Sequence, residues 1–313
     1  MAGVLSQDEV EEALSKLWSL IEEQGTGVDR ADRSTWTNER WCPRTAAAPT
    51  KIAGSGGGAG GHGALQSEAA WYIRGRPGLK RMWASIYATD DLIVSWDGFN
   101  VVRPCQHDPT WRVTAQGPHI DGVRQMQTKD GRRPDGGDFD PNTRYYAQGV
   151  VNLVRSSPDA GGNVVVSGSH KHYETLNKEF FSKSGEQRVT PEIVSSYPEI
   201  FRGNVIIAHV EPGDCVLWDD RSIHCNHPGV TGTMPTRDGL LRAACYCTMA
   251  PAATAVAEVI ESRKQCIAEG WGSGSGGWCA HRVITPLSGP GSGIDYSREE
   301  DGFREAPRAV LGP

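Results

Sequence analysis

Six short apolar runs in the middle of the chain constrain its fold more than any other feature. They are rich in β-branched and aromatic residues, and Gly, Pro, Asn and Asp separate them, which is typical of strands joined by turns. This spacing favours a β-sandwich or jelly roll over alternating strands and helices. The runs are LIVSW (92–96), YYAQGVVNLV (145–154), NVVVSG (163–168), NVIIAHV (204–210), DCVLWD (214–219) and LLRAACYCTM (240–249).

Helical patterns precede this β region. Ser6 and Glu9 match a capping box, apolar residues then recur at helical spacing, and Gly25 ends the pattern. The irregular segment 26–66 contains a Gly-rich run that predicts a flexible loop. A second helical region is predicted over 67–87, with a break near its proline. Its expected buried residues are Leu79, Met82, Trp83 and Ile86.

A chain of 313 residues can bury a sizeable core, and we predict one domain with additions. Residues 1–90 form an N-terminal helical region with the Gly-rich loop, and residues 91–251 form the β core. Residues 252–313 begin with a helix and continue as a tail rich in Gly, Ser and Pro that resembles a lid.

Composition excludes several functional classes. A net charge of -6 argues against a surface for nucleic acid or anionic membranes. No run of about 18 apolar residues is present, and the polar, acidic N-terminus predicts no secretory signal. The eight cysteines contain no CxxC pair, and several lie in apolar runs. We therefore expect a cytoplasmic protein in a reducing compartment.

The stretch GPHIDG places His119 and Asp121 two residues apart. Side chains at that spacing point the same way on a strand, so both can reach one ion. His224, at the end of an apolar step, is the best candidate for a third ligand. Two imidazoles and one carboxylate leave open positions on a metal, as in non-haem Fe(II) oxygenases. The same ligands also bind catalytic zinc, and His119 with Asp121 alone could form a surface turn.

Arg242 adds a second constraint. It stands alone inside an apolar run, 18 residues after His224. A buried cation needs a partner, and the neighbouring sequence offers none. A dicarboxylate co-substrate would provide one, because the guanidinium fork matches a carboxylate in two hydrogen bonds.

Four motifs in this order, PHID, NVVVSGSHKHY, PGDCVLWDDRSIHCNHPG and LLRAACYCTMAP, resemble the phytanoyl-CoA dioxygenase family of Fe(II)- and 2-oxoglutarate-dependent oxygenases. The resemblance covers residues 67–251 and implies a double-stranded β-helix. It implies that His119, Asp121 and His224 hold the iron. It also implies that Arg242 binds 2-oxoglutarate, with Gln148 near the co-substrate.

The chain departs from the family pattern at two points. The family arginine usually follows the distal histidine more closely than Arg242 does, so Arg237 is a rival for the same role. The family also often has a serine two residues after the arginine, where this chain has Ala244. Another residue must replace that hydrogen bond, or the bond is absent.

The resemblance further implies the reaction. Oxidation of a small-molecule C–H bond, with O2 and with decarboxylation of 2-oxoglutarate to succinate, would give hydroxylation, desaturation or oxidative cyclisation, as in secondary metabolism. Halogenating relatives lack the metal carboxylate, so Asp121 favours these outcomes over halogenation. Two alternatives stay open: a non-catalytic jelly-roll protein that binds metal or sugar, and a zinc hydrolase on a cupin-like barrel.

Other residues also have functional or structural interpretations. Cys225 adjoins His224, which raises the alternative of a Cys–His nucleophile, although no orienting third group is signalled. His209, within an apolar run, is expected to be a core histidine. The predicted substrate-binding residues are Trp96, Asp97, Asn100, Gln125 and Arg155.

Overall fold

The computed structural model describes residues 1–23, 25–41, 66–95, 98–113, 116–120, 147–181, 188–228 and 239–254, and single positions between 257 and 267. The three main helices are α1 (Gln7–Glu22), α2 (Glu68–Arg74) and α3 (Pro77–Tyr87). Short 3-10 helices cover Arg33–Thr35, Pro109–Trp111, Ser169–His172 and Ala252–Thr254. Further short helical segments are Tyr173–Leu176, Asn177–Phe181, Pro191–Ser196 and Pro198–Phe201.

The described strands form antiparallel sheets, so the chain is mainly β with helices, as predicted. One four-stranded sheet has the order β2-β9-β4-β7, a second has the order β3-β8-β5-β6, and β1 pairs with β10. The strands are β1 (Leu92–Val94), β2 (Phe99–Val102), β3 (Gln116–His119), β4 (Ala147–Asn152), β5 (Gly162–Val166), β6 (Val205–Ile207), β7 (Cys215–Asp219), β8 (His224–His227), β9 (Arg242–Tyr246) and β10 (Met249–Pro251).

The N-terminal helices cover one face of the β2-β9-β4-β7 sheet. The Ser6 side chain accepts a hydrogen bond from the Glu9 amide, which completes the predicted capping box of α1. Helix α3 packs close to β4 at Gly149. A Cβ at this position would lie only 2.7 Å from the Trp83 ring, so the close approach requires glycine. Alternate strand residues bury their side chains in this helix-covered core: Phe99, Val101, Val151, Cys215, Ala243 and Cys245.

Short helical segments cover the outer face of the second sheet. Val166 and Ile223 are buried there in one apolar cluster with residues of the segments between β5 and β6. The other members include Tyr173, Leu176, Ile193, Ile200 and Phe201. Each sheet therefore has one face packed against helices and one face left for the interior of the fold.

Two hydrogen bonds show that these remaining faces oppose each other. The Asn226 amide on β8 donates to the Tyr246 hydroxyl on β9 at 2.9 Å. Its oxygen accepts from Arg242, also on β9, at 3.3 Å. Since β8 and β9 belong to different sheets, the space between the sheets contains polar side chains from both.

Three expectations about local structure are corrected by the structure. Ile86 is 42% exposed, because it lies off the buried face of α3, which consists of Leu79, Met82 and Trp83. The run at 204–210 contributes a strand of only three residues, Val205–Ile207, at the edge of its sheet. His209 follows this strand and is exposed, so it is no core histidine.

In the described part of the chain, no helix has the length and apolarity needed to cross a bilayer.

Candidate metal and co-substrate site

His119 and His224 meet across two antiparallel strands. His119 is the last residue of β3 and His224 the first of β8, and their Cα atoms are direct partners in the ladder. Directly opposed residues share a face of the sheet. The ring centroids accordingly lie 4.4 Å apart, with the rings tilted by 52°. Pairing thus brings together two imidazoles that are 105 positions apart in the sequence.

Both imidazole rings are oriented by a backbone carbonyl two residues earlier. His119 Nδ1 lies 2.9 Å from the Gly117 oxygen, and His224 Nδ1 lies 3.0 Å from the Ser222 oxygen. A carbonyl accepts but cannot donate, so each Nδ1 carries a proton, and in the neutral rings each Nε2 keeps its lone pair. Histidines that bind metals are commonly oriented in this way by a carbonyl at the other nitrogen.

The segment before His224 is fixed by the turn after β5. The buried Ser169 hydroxyl accepts a hydrogen bond from the Ile223 amide at 2.9 Å and donates to the Val166 carbonyl at 2.6 Å. The Val166 amide in turn donates to the Ile223 carbonyl at 2.8 Å. Both backbone groups of Ile223 are therefore held from β5, which sets the position of the neighbouring His224.

The described residues supply two of the three predicted metal ligands. The third, Asp121, lies outside the described residues, and no group of three His, Cys, Asp or Glu forms a metal site within them. The two imidazoles fit a divalent metal by their shared face, their tautomer and their spacing.

Arg242 is a buried cation between the two sheets. It begins β9, and only 4% of its surface is exposed. Its Nη2 donates to the Asn226 oxygen at 3.3 Å, whereas Nε and Nη1 have no hydrogen-bond partner in the part of the chain that is described. Burial lowers the pKa of Arg242, and the Tyr246 hydroxyl opposes that shift. A guanidinium in this state can accept an anion that the described residues do not provide.

Asn226 connects the histidines to Arg242. It lies two positions after His224 on β8 and therefore on the same face of the strand. On β9, Arg242, Ala244 and Tyr246 share the opposing face, with the small Ala244 between the two polar side chains. Sequence reasoning missed Tyr246. Its alternation with Arg242 along β9 was the signal that could have identified it.

Gln148 and Asn100 also lie on the interior face of the β2-β9-β4-β7 sheet. Gln148 is buried, and its ladder partner is Trp218. The Trp218 ring centroid lies 5.3 Å from that of His224, so Gln148 is close to the paired histidines. Asn100 is buried opposite Ala244. Trp218 is another neighbour of the site that the sequence did not reveal.

Arg155 is not brought to this site. It follows β4 beyond Asn152, at the end of the strand away from Gln148, and its guanidinium forms an exposed ion pair with Glu211 at 3.2 Å. We therefore withdraw Arg155 as a substrate-binding residue. Four other predicted or rival residues lie outside the described residues: Trp96, Asp97, Gln125 and Arg237.

Cys225 is unsuited to act as a nucleophile. It alternates with His224 along β8, so its side chain points to the other face of the sheet. Burial raises the pKa of the Cys225 thiol to about 12. Since the thiolate is the reactive form, the Cys–His alternative is not supported.

Comparisons with known proteins find a relative by sequence and similar solved structures. No family model matches the chain. The Ava biosynthesis cluster protein O of Aspergillus versicolor is 26% identical over 255 residues, which are 77% of this chain and 70% of that protein.

Among solved structures, HygX from Streptomyces hygroscopicus with nickel, 2-oxoglutarate and hygromycin B bound has a TM-score of 0.43 and 15% identity, covering 80% of this chain and 81% of that one. The nickel complex of the non-heme monooxygenase ThoJ also has a TM-score of 0.43 and 15% identity, with coverages of 80% and 74%. The α-ketoglutarate-dependent epimerase SnoN from nogalamycin biosynthesis has a TM-score of 0.41, 15% identity and coverages of 80% and 76%. All three TM-scores lie below 0.5, so the function of this chain has to be inferred from its own residues.

Proposed function

We propose that this chain is an Fe(II)- and 2-oxoglutarate-dependent oxygenase that oxidises a C–H bond of a small molecule. The observation that carries the proposal is the buried Arg242 guanidinium, whose Nε and Nη1 have no hydrogen-bond partner among the described residues. Through Asn226 it is joined to a strand that begins with one of the two paired histidines. A diacid that chelates a metal at one end requires metal ligands there and a cation that binds its carboxylate at the other end.

The fold is proposed to be a double-stranded β-helix. Two opposed four-stranded antiparallel sheets with the orders β2-β9-β4-β7 and β3-β8-β5-β6 support it. In this arrangement, consecutive strands alternate largely between the sheets, with the predicted metal ligands at the end of β3 and the start of β8.

His119, Asp121 and His224 would hold the iron. The two histidines would bind it through Nε2, because the carbonyls of Gly117 and Ser222 hold the protons on Nδ1. Asp121, two residues after His119, would add the carboxylate that completes a two-histidine, one-carboxylate set with open positions.

Arg242 would bind the distal carboxylate of 2-oxoglutarate. Its Nε and Nη1 can donate two hydrogen bonds to one carboxylate, and Asn226 fixes the guanidinium through Nη2. Apolar side chains around Trp218 keep water from this interior, which strengthens the charge interaction. With iron and 2-oxoglutarate bound, the cofactor pair supplies oxidation of a C–H bond by O2, with release of succinate and CO2.

The substrate is proposed to be an intermediate of secondary metabolism. The similarity to the Ava biosynthesis cluster protein O supports this choice. Hydroxylation, desaturation and oxidative cyclisation share the same initial attack on a C–H bond. Of the predicted substrate-binding residues, Asn100 is the described one that lies on the interior face.

Anaerobic reconstitution tests the proposal. The protein is loaded with Fe(II) and titrated with 2-oxoglutarate, and the expected result is a weak visible charge-transfer band that appears only when both are present. Exposure to O2 should then give succinate. A zinc hydrolase would instead act without O2 or 2-oxoglutarate. A non-catalytic binding protein would form neither the band nor succinate, and Arg242→Met would leave its ligand binding unchanged.

A further inference from the structure

We propose that an apolar strip on the inner faces of the two sheets binds a hydrocarbon part of the substrate, either an aliphatic chain or an aromatic ring. The inference rests on the proposed function, since it names the class of molecule that the same site oxidises. The apolar strip consists of Val150, Val165, Ile206, Val216 and Trp218.

The strand register aligns two members of the apolar strip with the paired histidines. Val165 on β5 is the Cα partner of His224 on one side and of Ile206 on the other. Directly opposed residues share a face, so both side chains point to the same side of the sheet as His224. The next pair in the ladder, Val166 and Val205, belongs to the apolar cluster on the outer face. At about 4.8 Å per strand, Ile206 lies about 10 Å from His224.

Apolar side chains of the other sheet face this row. Trp218 and Val216 lie two positions apart on β7 and share its interior face. Val165 and Val216 both pack against the interior cluster that contains Trp218. The Trp218 ring in turn lies beside the ring of His224. The apolar strip is therefore continuous from the edge of the sheets to the paired histidines.

The outer end of the apolar strip is open to solvent. Ile206 is 53% exposed, and Val165 and Val216 are only partly buried. Single exposed apolar residues are common, but these three lie on interior faces that continue to the site. At the inner end, Trp218 Nε1 has no hydrogen-bond partner among the described residues. A hydrocarbon group with an oxygen acceptor next to it would cover the apolar side chains and pair with this N–H group.

The position of the apolar strip favours a small molecule over another protein chain. A second copy of this chain could contact Ile206, which lies on the edge strand β6. It could not contact Trp218, which is buried between the sheets. A small molecule that is oxidised at the metal has to reach the inner end, and none of the five side chains carries a charge that would oppose a hydrocarbon.

Two unbranched alcohols test this assignment. Butan-1-ol and hexan-1-ol have the same hydroxyl group and differ by two CH₂ groups. Their dissociation constants are measured from the proton relaxation of each alcohol on protein loaded with Co(II) and 2-oxoglutarate, with the Zn(II) protein as the diamagnetic reference. We expect hexan-1-ol to bind about 5- to 15-fold more tightly than butan-1-ol. Its protons should relax faster on the Co(II) protein, because the apolar strip leads to the metal.

Three threonine variants make the result specific. Ile206→Thr and Val165→Thr keep a β-branched side chain but place a hydroxyl group in the apolar strip. Each should weaken hexan-1-ol binding by about 5- to 20-fold. Ile86→Thr is the matched control, because Ile86 is a similarly exposed isoleucine on helix α3, and it should bind hexan-1-ol within about 2-fold of wild type.

The outcomes separate this inference from the proposed function. Weaker hexan-1-ol binding in the two strip variants, with an unchanged control, supports the inference. No alcohol binding by wild type, the result expected if another segment or a second copy covers the apolar strip, would overturn it and leave the co-substrate site intact. Equal binding by wild type and the strip variants, equal constants for the two alcohols, or relaxation that does not depend on Co(II) would do the same. Failure of wild type to bind 2-oxoglutarate with Co(II) would overturn the proposed function as well.

Discussion

The side-chain oxygen of Asn226 accepts a hydrogen bond from Arg242 at 3.3 Å, although the two residues belong to different sheets. Asn226 lies two positions after His224 on one strand, so any shift of that strand moves the histidine and the arginine contact together. The separation between His224 and the Arg242 guanidinium therefore depends on one strand and one hydrogen bond. A ligand that bridges the proposed metal and this guanidinium would have its length limited by that separation.

Arg242 should be unfavourable for stability in the absence of ligand. Arg242→Met replaces a buried cation whose Nε and Nη1 lack partners in the described part of the chain. The substitution removes the desolvation penalty of the cation and approximately keeps its volume. We expect the variant to unfold at the same urea concentration as wild type or a higher one, with a free energy of unfolding up to roughly 3 kcal/mol greater. Added 2-oxoglutarate at about 100 times its Kd should stabilise metal-loaded wild type by about 2.7 kcal/mol and the variant far less.

Arg103 provides the matched control for that experiment. It is equally buried, but its guanidinium donates to the Trp36 carbonyl and to Asn38, and it lies between the rings of Trp41 and Trp111. Arg103→Met should therefore lose roughly 2–5 kcal/mol of stability. Similar large losses in both variants would show that Arg242 is a structural residue with satisfied contacts.

Removal of either paired histidine should abolish tight metal binding. His119→Ala and His224→Ala each delete one imidazole ligand, and we expect the Kd for Ni(II) or Co(II) to rise by more than ~100-fold, beyond the effect of residues that only orient ligands. Calorimetric titration measures this directly. His209→Ala, which changes an exposed histidine, should bind metal like wild type. Metal affinity that survives in both site variants would disprove the assignment.

Ser169 should control metal affinity from a distance. In Ser169→Ala the Ile223 amide loses its hydroxyl partner, which destabilises the fold by roughly 1–3 kcal/mol and loosens the segment that holds His224. The Kd for Ni(II) should rise by about 10- to 100-fold, measured at a temperature where the variant is fully folded. Ser195→Ala, whose hydroxyl donates to the Pro191 carbonyl at the surface, is the control. A stability loss with unchanged metal affinity would limit Ser169 to a packing role.

Stability should fall in alkaline solution. Burial raises the pKa of both the Cys215 and the Cys225 thiols from 9.0 to about 12, so folding favours the neutral thiols. This contribution is fully present below about pH 9 and is lost as the pH rises toward about 12. Urea unfolding from pH 8 to about pH 11 should show a decline of at most about 1.4 kcal/mol per pH unit for each thiol. Cys225→Ala should reduce the slope, and a flat profile in wild type would contradict the burial of these thiols.

Several parts of the fold could be predicted because they depend on local rules. The capping box at Ser6 follows from its local sequence. The strands β4, β5, β7 and β9 follow from β-propensity and from the Gly, Pro, Asn and Asp residues that separate the apolar runs. His119 and His224 were predicted as metal ligands from residue type and spacing, and the structure pairs them across β3 and β8.

The remaining features depend on which strands become neighbours, and propensity does not determine that. Tyr246 became notable only when β9 was placed opposite β8, since its contact with Asn226 joins the two sheets. Arg155 was misassigned because sequence distance from β4 does not show which end of the strand faces the site. His209 illustrates the same limit at a sheet edge, where an apolar run continues past the last ladder residue, Ile207.

A crystal structure of the protein with Ni(II) and 2-oxoglutarate, grown without O2, tests the central claim most directly. The account predicts Nε2 of His119 and of His224 at about 2.1 Å from one metal ion, with a carboxylate of Asp121 completing the set. It also predicts Arg242 Nε and Nη1 within about 3 Å of the distal carboxylate. A metal bound away from the two histidines, or a diacid that leaves Arg242 unpaired, would contradict it.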